Sequence, residues 1–211
     1  MNTYSSGNKN MIEEITKEEI QDLMGIKGNA RGAILQSHGI FIQKKEGKEG
    51  LEAVEKKTAE LGYPVNFKKF RSGEWYPESL STLIILTAKN LFGWTEKDIF
   101  EMGRSAPKYN FIAKILMRYF VSLEKFMAEV PKYWSKHFDC GKLEVIQFDE
   151  KKKYIVLREK DFKFHPITCI YHAGYYQGIS EYIIKSEKIS VKETKCVFKG
   201  DPYNEYLIAW E

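Results

Sequence analysis

The sequence predicts an α+β fold, with an N-terminal strand and helical block packed on a C-terminal antiparallel sheet that carries one long helix. Helical spacing of apolar residues dominates the first two thirds of the chain, and alternation of apolar and polar residues dominates the last third. The 211 residues are 43% hydrophobic and 14% aromatic, enough apolar surface for one sizeable core. We expect residues 1–10 to be a disordered tail and residues 11–211 to be one domain, with a helical part to about residue 138 and a sheet part from residue 139.

Four elements are expected before residue 71. Thr16 and Glu19 form a capping-box pattern that opens a helix ending near Met24. The stretch 33–43 is short and rich in branched and aromatic residues, which favours a strand. Leucine and valine at helical spacing predict a helix over 49–61 with Gly62 after it, and residues 65–70 favour a second strand on the surface.

A helical middle follows. Pro77 suits a first helical turn, so a helix is expected to continue behind it over 78–91. Thr95 caps the next helix, expected to reach Met102. The spacing over 110–129 predicts the longest helix, which Pro131 interrupts before one or two further turns.

The last third of the sequence predicts an antiparallel sheet with one helix between its strands. Alternation over 142–148 and 154–158, joined by a polar turn, predicts a β-hairpin. Pro166 opens a helix to about Ile184, and strands over 189–198 and 203–210 end the sheet, with a tight turn between them.

Charge and composition exclude several classes of protein. The net charge of +4 comes from interspersed lysines, arginines and acids, which indicates a solvated surface and no nucleic-acid partner. No apolar run is long enough to span a membrane, and the polar first residues do not form a signal peptide. Three widely spaced cysteines favour a reducing compartment, so we expect a cytoplasmic protein.

The common catalytic signatures are absent from the sequence. It contains no phosphate-binding glycine loop, no G-x-S-x-G and no H-E-x-x-H, and its four histidines are scattered. The sequence therefore favours a binding protein over an enzyme.

Residues 169–210 carry the most specific pattern. Cys169 precedes Gly174 and Gly178 on a helix, a strand ends in Glu193-x-x-Cys196, and a Gly-Asp turn leads to an aromatic-rich last strand. This order resembles the 4-vinyl-reductase-type small-molecule-binding domain. Relatives of that domain include the sensor domains of phenol-responsive transcription activators, a protein linked to bacteriochlorophyll synthesis and Golgi (TRAPP) tethering subunits. They share a fold with the haem nitric-oxide-binding (H-NOX) domains.

The resemblance extends more weakly upstream and raises the question of haem. In H-NOX domains a histidine on the long helix holds the haem, and that position falls here near Val130 and Pro131; proline cannot ligate iron. The Tyr-x-Ser-x-Arg clamp for the haem carboxylates is replaced by the sequence FKFHPIT over 162–168. His137 is an alternative ligand, expected to point to another face of its helix. Haem is therefore not expected, and no other cofactor is expected except zinc as a lesser alternative.

The resemblance also implies a degenerate zinc site. Phenol-sensing relatives hold Zn²⁺ with three cysteines and a glutamate, and Cys169, Glu193 and Cys196 match three of these four ligands, while Asn204 stands at the fourth. His172, one helical turn from Cys169, is an alternative fourth ligand. The other interpretation is that the two cysteines are ordinary core residues.

The inferred function is a sensor or regulatory domain that binds a small apolar or aromatic ligand and passes a conformational signal to a partner protein, with homodimerisation as a further expectation. The alternatives are an interaction protein of the tethering type and a haem- or tetrapyrrole-binding protein. The candidate ligand pocket comprises Trp94, Phe111, Tyr119, Phe126, Trp134, His165, Tyr171, His172 and Tyr175.

Overall fold

The computed structural model describes residues 16–109 and 123–211. Within these ranges the fold is α+β, as predicted, with six helices, a two-stranded ribbon and a four-stranded antiparallel sheet. The helices are α1 (Lys17–Gly25), α2 (Gly32–Glu60), α3 (Glu78–Phe92), α4 (Glu96–Tyr109), α5 (Leu123–His137) and α6 (Pro166–Ile183). The strands are β1 (Asn29–Arg31), β2 (Trp75–Pro77), β3 (Lys142–Asp149), β4 (Tyr154–Lys160), β5 (Ile189–Lys195) and β6 (Asn204–Trp210).

The four-stranded sheet has the order β3-β4-β6-β5 with every neighbouring pair antiparallel. Its buried side chains alternate along the two central strands, Ile155 and Leu157 on β4 and Tyr206 and Ile208 on β6. Helix α5 packs against β3, and α6 packs against β5 and β6. The sheet thus has one buried face, which the last two helices cover.

Helices α4 and α6 cross at very short range. An added Cβ at Gly174 would overlap the carbonyl oxygen of Phe100, one at Gly178 would overlap that of Arg104, and one at Gly103 would overlap that of Tyr171. This close backbone approach depends on glycine at these positions, because any side chain there would force the helices apart.

The prediction of a strand over 33–43 is wrong, since these residues belong to α2. The buried residues Ile34, Leu35, His38 and Ile42 recur at spacings of three and four, and they face α3 and α4. Branched side chains suggested a strand, but the helical spacing decided the element because it places one face in the core. Gly47, at φ +75°, breaks α2, and the predicted helix over 49–61 is its second segment.

The second predicted strand, over 65–70, is also wrong. Phe67–Lys69 form a short 3₁₀ turn, and Phe67 and Phe70 are both buried in the core in edge-to-face contact with each other. The lysines between them remain exposed, as expected for a solvated surface.

Pro131 does not interrupt its helix, contrary to prediction. Helix α5 runs unbroken through Pro131 to His137 and buries Met127, Val130 and Trp134 on one side. Packing of this face against β3 outweighs the loss of one backbone hydrogen bond at the proline.

The remaining predicted elements are confirmed within a few residues, except that α4 continues past Met102 to Tyr109. The expected tail over 1–10 and most of the expected helix over 110–129 lie outside the described residues. Among the described helices, none combines the length and the apolar character that a membrane span requires.

Candidate functional site

A buried cavity of about 40 Å³ lies where α2, α4, α5 and α6 meet β3. Since one water needs about 10–15 Å³ of such volume, it has room for about three heavy atoms. Its described lining residues are mainly aromatic and aliphatic: Ile34, Ser37, Ala106, Tyr133, Trp134, His137, Phe138, Leu143, Tyr171, His172, Tyr175 and Tyr176.

Four of the nine predicted pocket residues line this cavity: Trp134, Tyr171, His172 and Tyr175. Both elements that carry them were predicted helical, and the α4–α6 crossing places the three on α6 beside α4. For these four residues, the structure places the side chains where a ligand between the helices and the sheet would contact them.

Three other predicted pocket residues lie elsewhere. Trp94 is in the core between α2 and α3, where its Nε1 donates to Glu46 at 2.7 Å. Phe126 is a buried core residue that does not line the cavity. His165 is the N-cap of α6, where its Nδ1 accepts from the Ile167 amide, so its role is to begin a helix. Phe111 and Tyr119 lie outside the described residues.

The sequence prediction missed several lining residues on α2, α4 and α5. Ile34 and Ser37 share a helical face, a signal that was hidden because this segment was interpreted as a strand. His137 lies two turns after Val130 on the same buried side of α5, so the expectation that its ring points to another face is wrong. Had the helix been predicted to continue through Pro131, helical spacing would have placed His137 on the same face as Val130.

The polar groups of the cavity wall are mostly hydrogen-bonded to one another. The hydroxyls of Tyr133 and Tyr175 are 2.8 Å apart, and burial raises the pKa of Tyr133 to about 12. Trp134 Nε1 donates to the Cys140 carbonyl at 3.0 Å, and His137 Nδ1 donates to the Tyr133 carbonyl at 3.0 Å. Burial lowers the pKa of His137, so its neutral form is favoured.

A buried carboxylate orients His172. Glu159, on β4, is 1% exposed, and its Oε1 accepts from His172 Nδ1 at 2.8 Å and from the Tyr176 hydroxyl. Its Oε2 accepts from Asn204 Nδ2 at 3.3 Å. Three donors compensate the burial of this acid, and they fix the ring of His172 against the cavity.

The three predicted metal ligands converge. The ligand atoms of Cys169, Glu193 and Cys196 all lie within 4.8 Å of one another, and the two Sγ atoms are 4.0 Å apart. Two thiolates on a tetrahedral zinc with bonds of about 2.3 Å would be separated by about 3.8 Å. Glu193 Oε1 is buried and has no hydrogen-bond partner among the described residues, while its other oxygen pairs with Lys199. This donor set fits zinc.

The fourth ligand proposed for this cluster is not provided by either candidate. His172 Nδ1 is engaged by Glu159, and His172 is not part of the cluster. Asn204 accepts from the Val197 amide through Oδ1 at 2.9 Å and donates to Glu159. The cluster as described is a three-ligand site, in which a fourth position would be left to solvent or another group.

A second buried polar group of residues lies between α2 and α3. His38 is 0% exposed, and its Nε2 lies 2.9 Å from Ser81 Oγ. Burial lowers the pKa of His38 to about 3 and raises that of Glu78 to about 8, so both are uncharged near neutral pH. His38 Nδ1, Glu78 Oε2 and Ser79 Oγ have no partner in the described part of the chain.

The described residues do not fit a haem as they are packed. His137 and His172 would offer ring nitrogens, but a cavity that accepts benzene measures about 150 Å³ and this one is far smaller. The predicted axial position is Val130–Pro131, and in the clamp region Phe162 and Phe164 are buried apolar residues. No lysine or arginine is among the described lining residues to hold a carboxylate.

Comparison with solved structures identifies the fold of this chain. No family model and no curated protein sequence matches the chain. An H-NOX protein from S. oneidensis in the Fe(II)NO ligation state superposes with a TM-score of 0.64 at 13% identity, over 86% of this chain and 99% of that one. The chain has the H-NOX fold.

An oxygen-binding H-NOX domain related to soluble guanylate cyclases, in its oxygen complex, superposes on 86% of this chain and 95% of its own length, with a TM-score of 0.59 at 14% identity. A doubly substituted variant of Tt H-NOX gives a TM-score of 0.61 at 15% identity, over 86% and 95%. These similarities establish the H-NOX fold, whereas the narrower resemblance to 4-vinyl-reductase-type domains and to tethering subunits stays a prediction.

Proposed function

We propose that this chain is a haem-independent sensor domain of the H-NOX fold, which binds a small molecule in the cavity between α2, α4, α5, α6 and β3. The single observation that carries the proposal is the cavity itself, buried, lined by aromatic side chains and about 40 Å³ in volume. H-NOX proteins with this fold bind NO and oxygen, by the description of the solved complexes. The small volume of the described cavity supports a ligand smaller than a haem in this chain.

The signal would pass through α6. This helix lines the cavity with Tyr171, His172 and Tyr175, and it crosses α4 at backbone contact. Because the two helices are in close backbone contact at the crossing, a ligand that shifts α6 would also move α4 or the sheet strands β5 and β6. We propose that a partner protein, or a second copy of the chain, detects this shift, and that the domain binds its ligand without transforming it.

We further propose that Cys169, Glu193 and Cys196 hold zinc at the end of β5. A divalent cation would satisfy Glu193 Oε1, which is buried without a partner in the described part of the chain. Burial and the neighbouring Cys196 thiol raise the pKa of Cys169 in the metal-free protein. Zinc would reverse this, because a coordinating thiol is deprotonated. Since α6 carries Cys169, the metal would fix that helix to the sheet.

The test of the sensor proposal is a pair of measurements on the purified full chain. Protein expressed with ample haem supply is expected to show no Soret absorbance, and titration with hemin is expected to give no saturable one-to-one complex. Xenon under pressure is expected to shift the methyl NMR signals of Ile34 and Leu143, which line the cavity. The methyl group of Leu51, which lies outside the cavity lining, is the internal control.

Two results would overturn the proposal. One is stoichiometric haem whose Soret band is lost in His137→Ala or His172→Ala, which would restore a haem protein. The other is a xenon response no larger at Ile34 and Leu143 than at Leu51.

A further inference from the structure

Positively charged side chains cluster beside the β1–β2 ribbon. Lys68, Lys69 and Arg71 are exposed, and none of them forms a salt bridge with a residue that the structure describes. Arg31 on β1 and Lys136 on α5 lie next to this segment, because the Arg31 side chain donates to the backbone carbonyls of Gly73 and Lys136. We call the group formed by Arg31, Lys68, Lys69, Arg71 and Lys136 the basic surface.

The basic surface holds most of the excess positive charge of the chain. Two acids accompany its five cations: Glu74, and Asp139, whose carboxylate accepts from the Asn29 amide and side chain at 2.6 Å each. Five positive and two negative charges leave an excess of three, out of a net charge of +4 for the whole chain. The electrostatic complement of this surface is therefore an anionic partner.

The basic surface carries a fixed aromatic anchor. Trp75 is 38% exposed, and the guanidinium carbon of Arg31 lies 3.7 Å from the centre of its ring. Arg31 is itself held in place, since its Nε donates to the Lys136 carbonyl at 3.1 Å and its Nη1 donates to the Gly73 carbonyl. A partner that packs on this indole would not have to order it first, and Trp and Arg are the side chains that most often dominate the affinity of a protein interface.

A second exposed apolar side chain lies beside the basic surface. Gln36 on α2 donates to the Phe70 carbonyl at 2.8 Å and accepts from the Ser72 hydroxyl at 2.6 Å, so this face of α2 contacts the segment between Lys69 and Trp75. Ile40 lies one helical turn after Gln36 on the same face and is 36% exposed. The surface therefore offers apolar contacts as well as charge.

The basic surface is joined directly to the cavity wall. Arg31 contacts the carbonyl of Lys136, and the next residue, His137, lines the cavity. Ala30 forms an isolated β-bridge with Phe138, which also lines the cavity. A ligand that displaces the end of α5 would therefore move Arg31 and, through the ring contact, Trp75.

We propose that the basic surface docks an acidic segment of the protein that receives the signal of this domain, with an apolar side chain of that segment packed on Trp75 and Ile40. This inference rests on the proposed function and names the chemistry of its partner. The carboxylates of Glu74 and Asp139 interrupt the positive charge. They disfavour a continuous phosphate surface, such as nucleic acid or an anionic bilayer, whereas a peptide can place its acids between them.

The first experiment measures binding of two anionic polypeptides to the full chain: poly-glutamate and a random copolymer of glutamate and tyrosine. The copolymer is expected to bind wild type more tightly, because tyrosine can pack on the exposed apolar side chains. A triple variant with Lys68→Gln, Lys69→Gln and Arg71→Gln should weaken both complexes about tenfold. The matched control carries Lys151→Gln, Lys152→Gln and Lys153→Gln, which remove three exposed charges from the β3–β4 turn and should leave both affinities unchanged.

The second experiment separates the apolar anchor from the charge. Trp75→Ala should abolish the preference for the copolymer and leave poly-glutamate binding nearly unchanged, and Ile40→Ser is a second variant with the same expected direction. Xenon pressure that fills the cavity should change the copolymer affinity of wild type at least about twofold, because the two sites share the end of α5.

The outcomes distinguish this inference from the proposed function. The docking surface is wrong if neither polypeptide binds, if both triple variants lose affinity equally, or if phosphatidylglycerol vesicles or double-stranded DNA bind more tightly than the copolymer. Copolymer affinity that stays constant while xenon occupies the cavity would overturn the role of this surface in signalling. If the copolymer binds as expected but xenon does not enter the cavity, the docking surface stands and the sensor proposal fails.

Discussion

At the scale of single residues, buried ionisable groups determine how this protein responds to pH. His38 and Glu78 are both buried on the facing helices α2 and α3, and each is held uncharged by its surroundings. Their pKa shifts have opposite consequences for stability. In the folded chain His38 loses its proton at a lower pH than it does in the unfolded chain, whereas Glu78 keeps its proton to a higher pH.

The pH dependence follows from the direction of proton binding. Between about pH 3 and 6.5 the unfolded chain binds a proton at His38 that the folded chain does not, so this group makes stability rise with pH. Between about pH 4.5 and 8 the folded chain keeps a proton on Glu78 that the unfolded chain has lost, so this group makes stability fall. Together they predict a plateau between about pH 4.5 and 6.5.

The test is urea unfolding of wild type and Glu78→Gln across pH 5 to 8. Above pH 6.5 the wild type should lose stability relative to the variant by at most about 1.4 kcal/mol per pH unit, because glutamine cannot titrate. Parallel curves for the two proteins over this range would show that Glu78 ionises normally in the folded state.

The zinc proposal also concerns single side chains, those of Cys169, Glu193 and Cys196. Protein refolded with zinc and then dialysed should retain about one zinc per chain by elemental analysis, and Cys196→Ser and Cys169→Ser should lose it. Cys140→Ser is the matched control, since Cys140 lies outside the cluster and should leave zinc unaffected. Zinc retained by both cluster variants, or absent from wild type, would refute the site.

At the scale of elements, helices α4 and α6 cross in direct backbone contact. This contact depends on Gly103, Gly174 and Gly178, where a methyl group would overlap a backbone carbonyl that cannot swing away. Backbone shifts are then the only relief, and they would propagate to the cavity because α6 lines it.

We expect Gly178→Leu to destabilise the protein by about 1–3 kcal/mol through overpacking. Gly25→Ala is the control, since an added Cβ at Gly25 has no neighbour within 4 Å and should change stability by less than about 0.5 kcal/mol. Thermal and urea unfolding measure both changes. Equal stability of Gly178→Leu and wild type would mean that α6 does not pack on α4 as described.

At the scale of the whole molecule, the cavity is shared between the helical layer and the sheet. Ala106 contributes a small side chain to it from α4, and Leu143 closes it from β3. Filling this space should therefore block binding without the usual penalty for adding atoms to a packed core.

Ala106→Val adds two methyl groups towards the cavity. It should reduce xenon binding at least tenfold while changing the unfolding free energy by less than about 1 kcal/mol. The matched control is Ala88→Val, because Ala88 is 0% exposed in α3 but does not line the cavity. That variant should lose about 1–3 kcal/mol and, where folded, bind xenon normally. The opposite pattern would show that the cavity is too small to accept added atoms.

The sequence by itself determined the elements that local chemistry specifies. Thr16 and Glu19 cap α1 as predicted, alternation located the hairpin of β3 and β4, and Pro166 stands in the first turn of α6. It also determined the α+β class, whereas the juxtaposition of Cys169, Glu193 and Cys196 was implied by the resemblance to 4-vinyl-reductase-type domains. The caps, the hairpin and the first turn of α6 were predicted because capping, alternation and turn chemistry act over a few residues.

Only the tertiary structure decided the rest. The segment 33–43 is rich in strand-forming residues, yet it is helical because α3 and α4 pack on one helical face of it. Pro131 stays within a helix because β3 supports α5. Likewise, the wall of the cavity joins His137 to His172 and Ala106 to Leu143, residues from separate elements. Such placements depend on which faces of the helices and the sheet pack together in three dimensions. Local propensity carries no information about that packing.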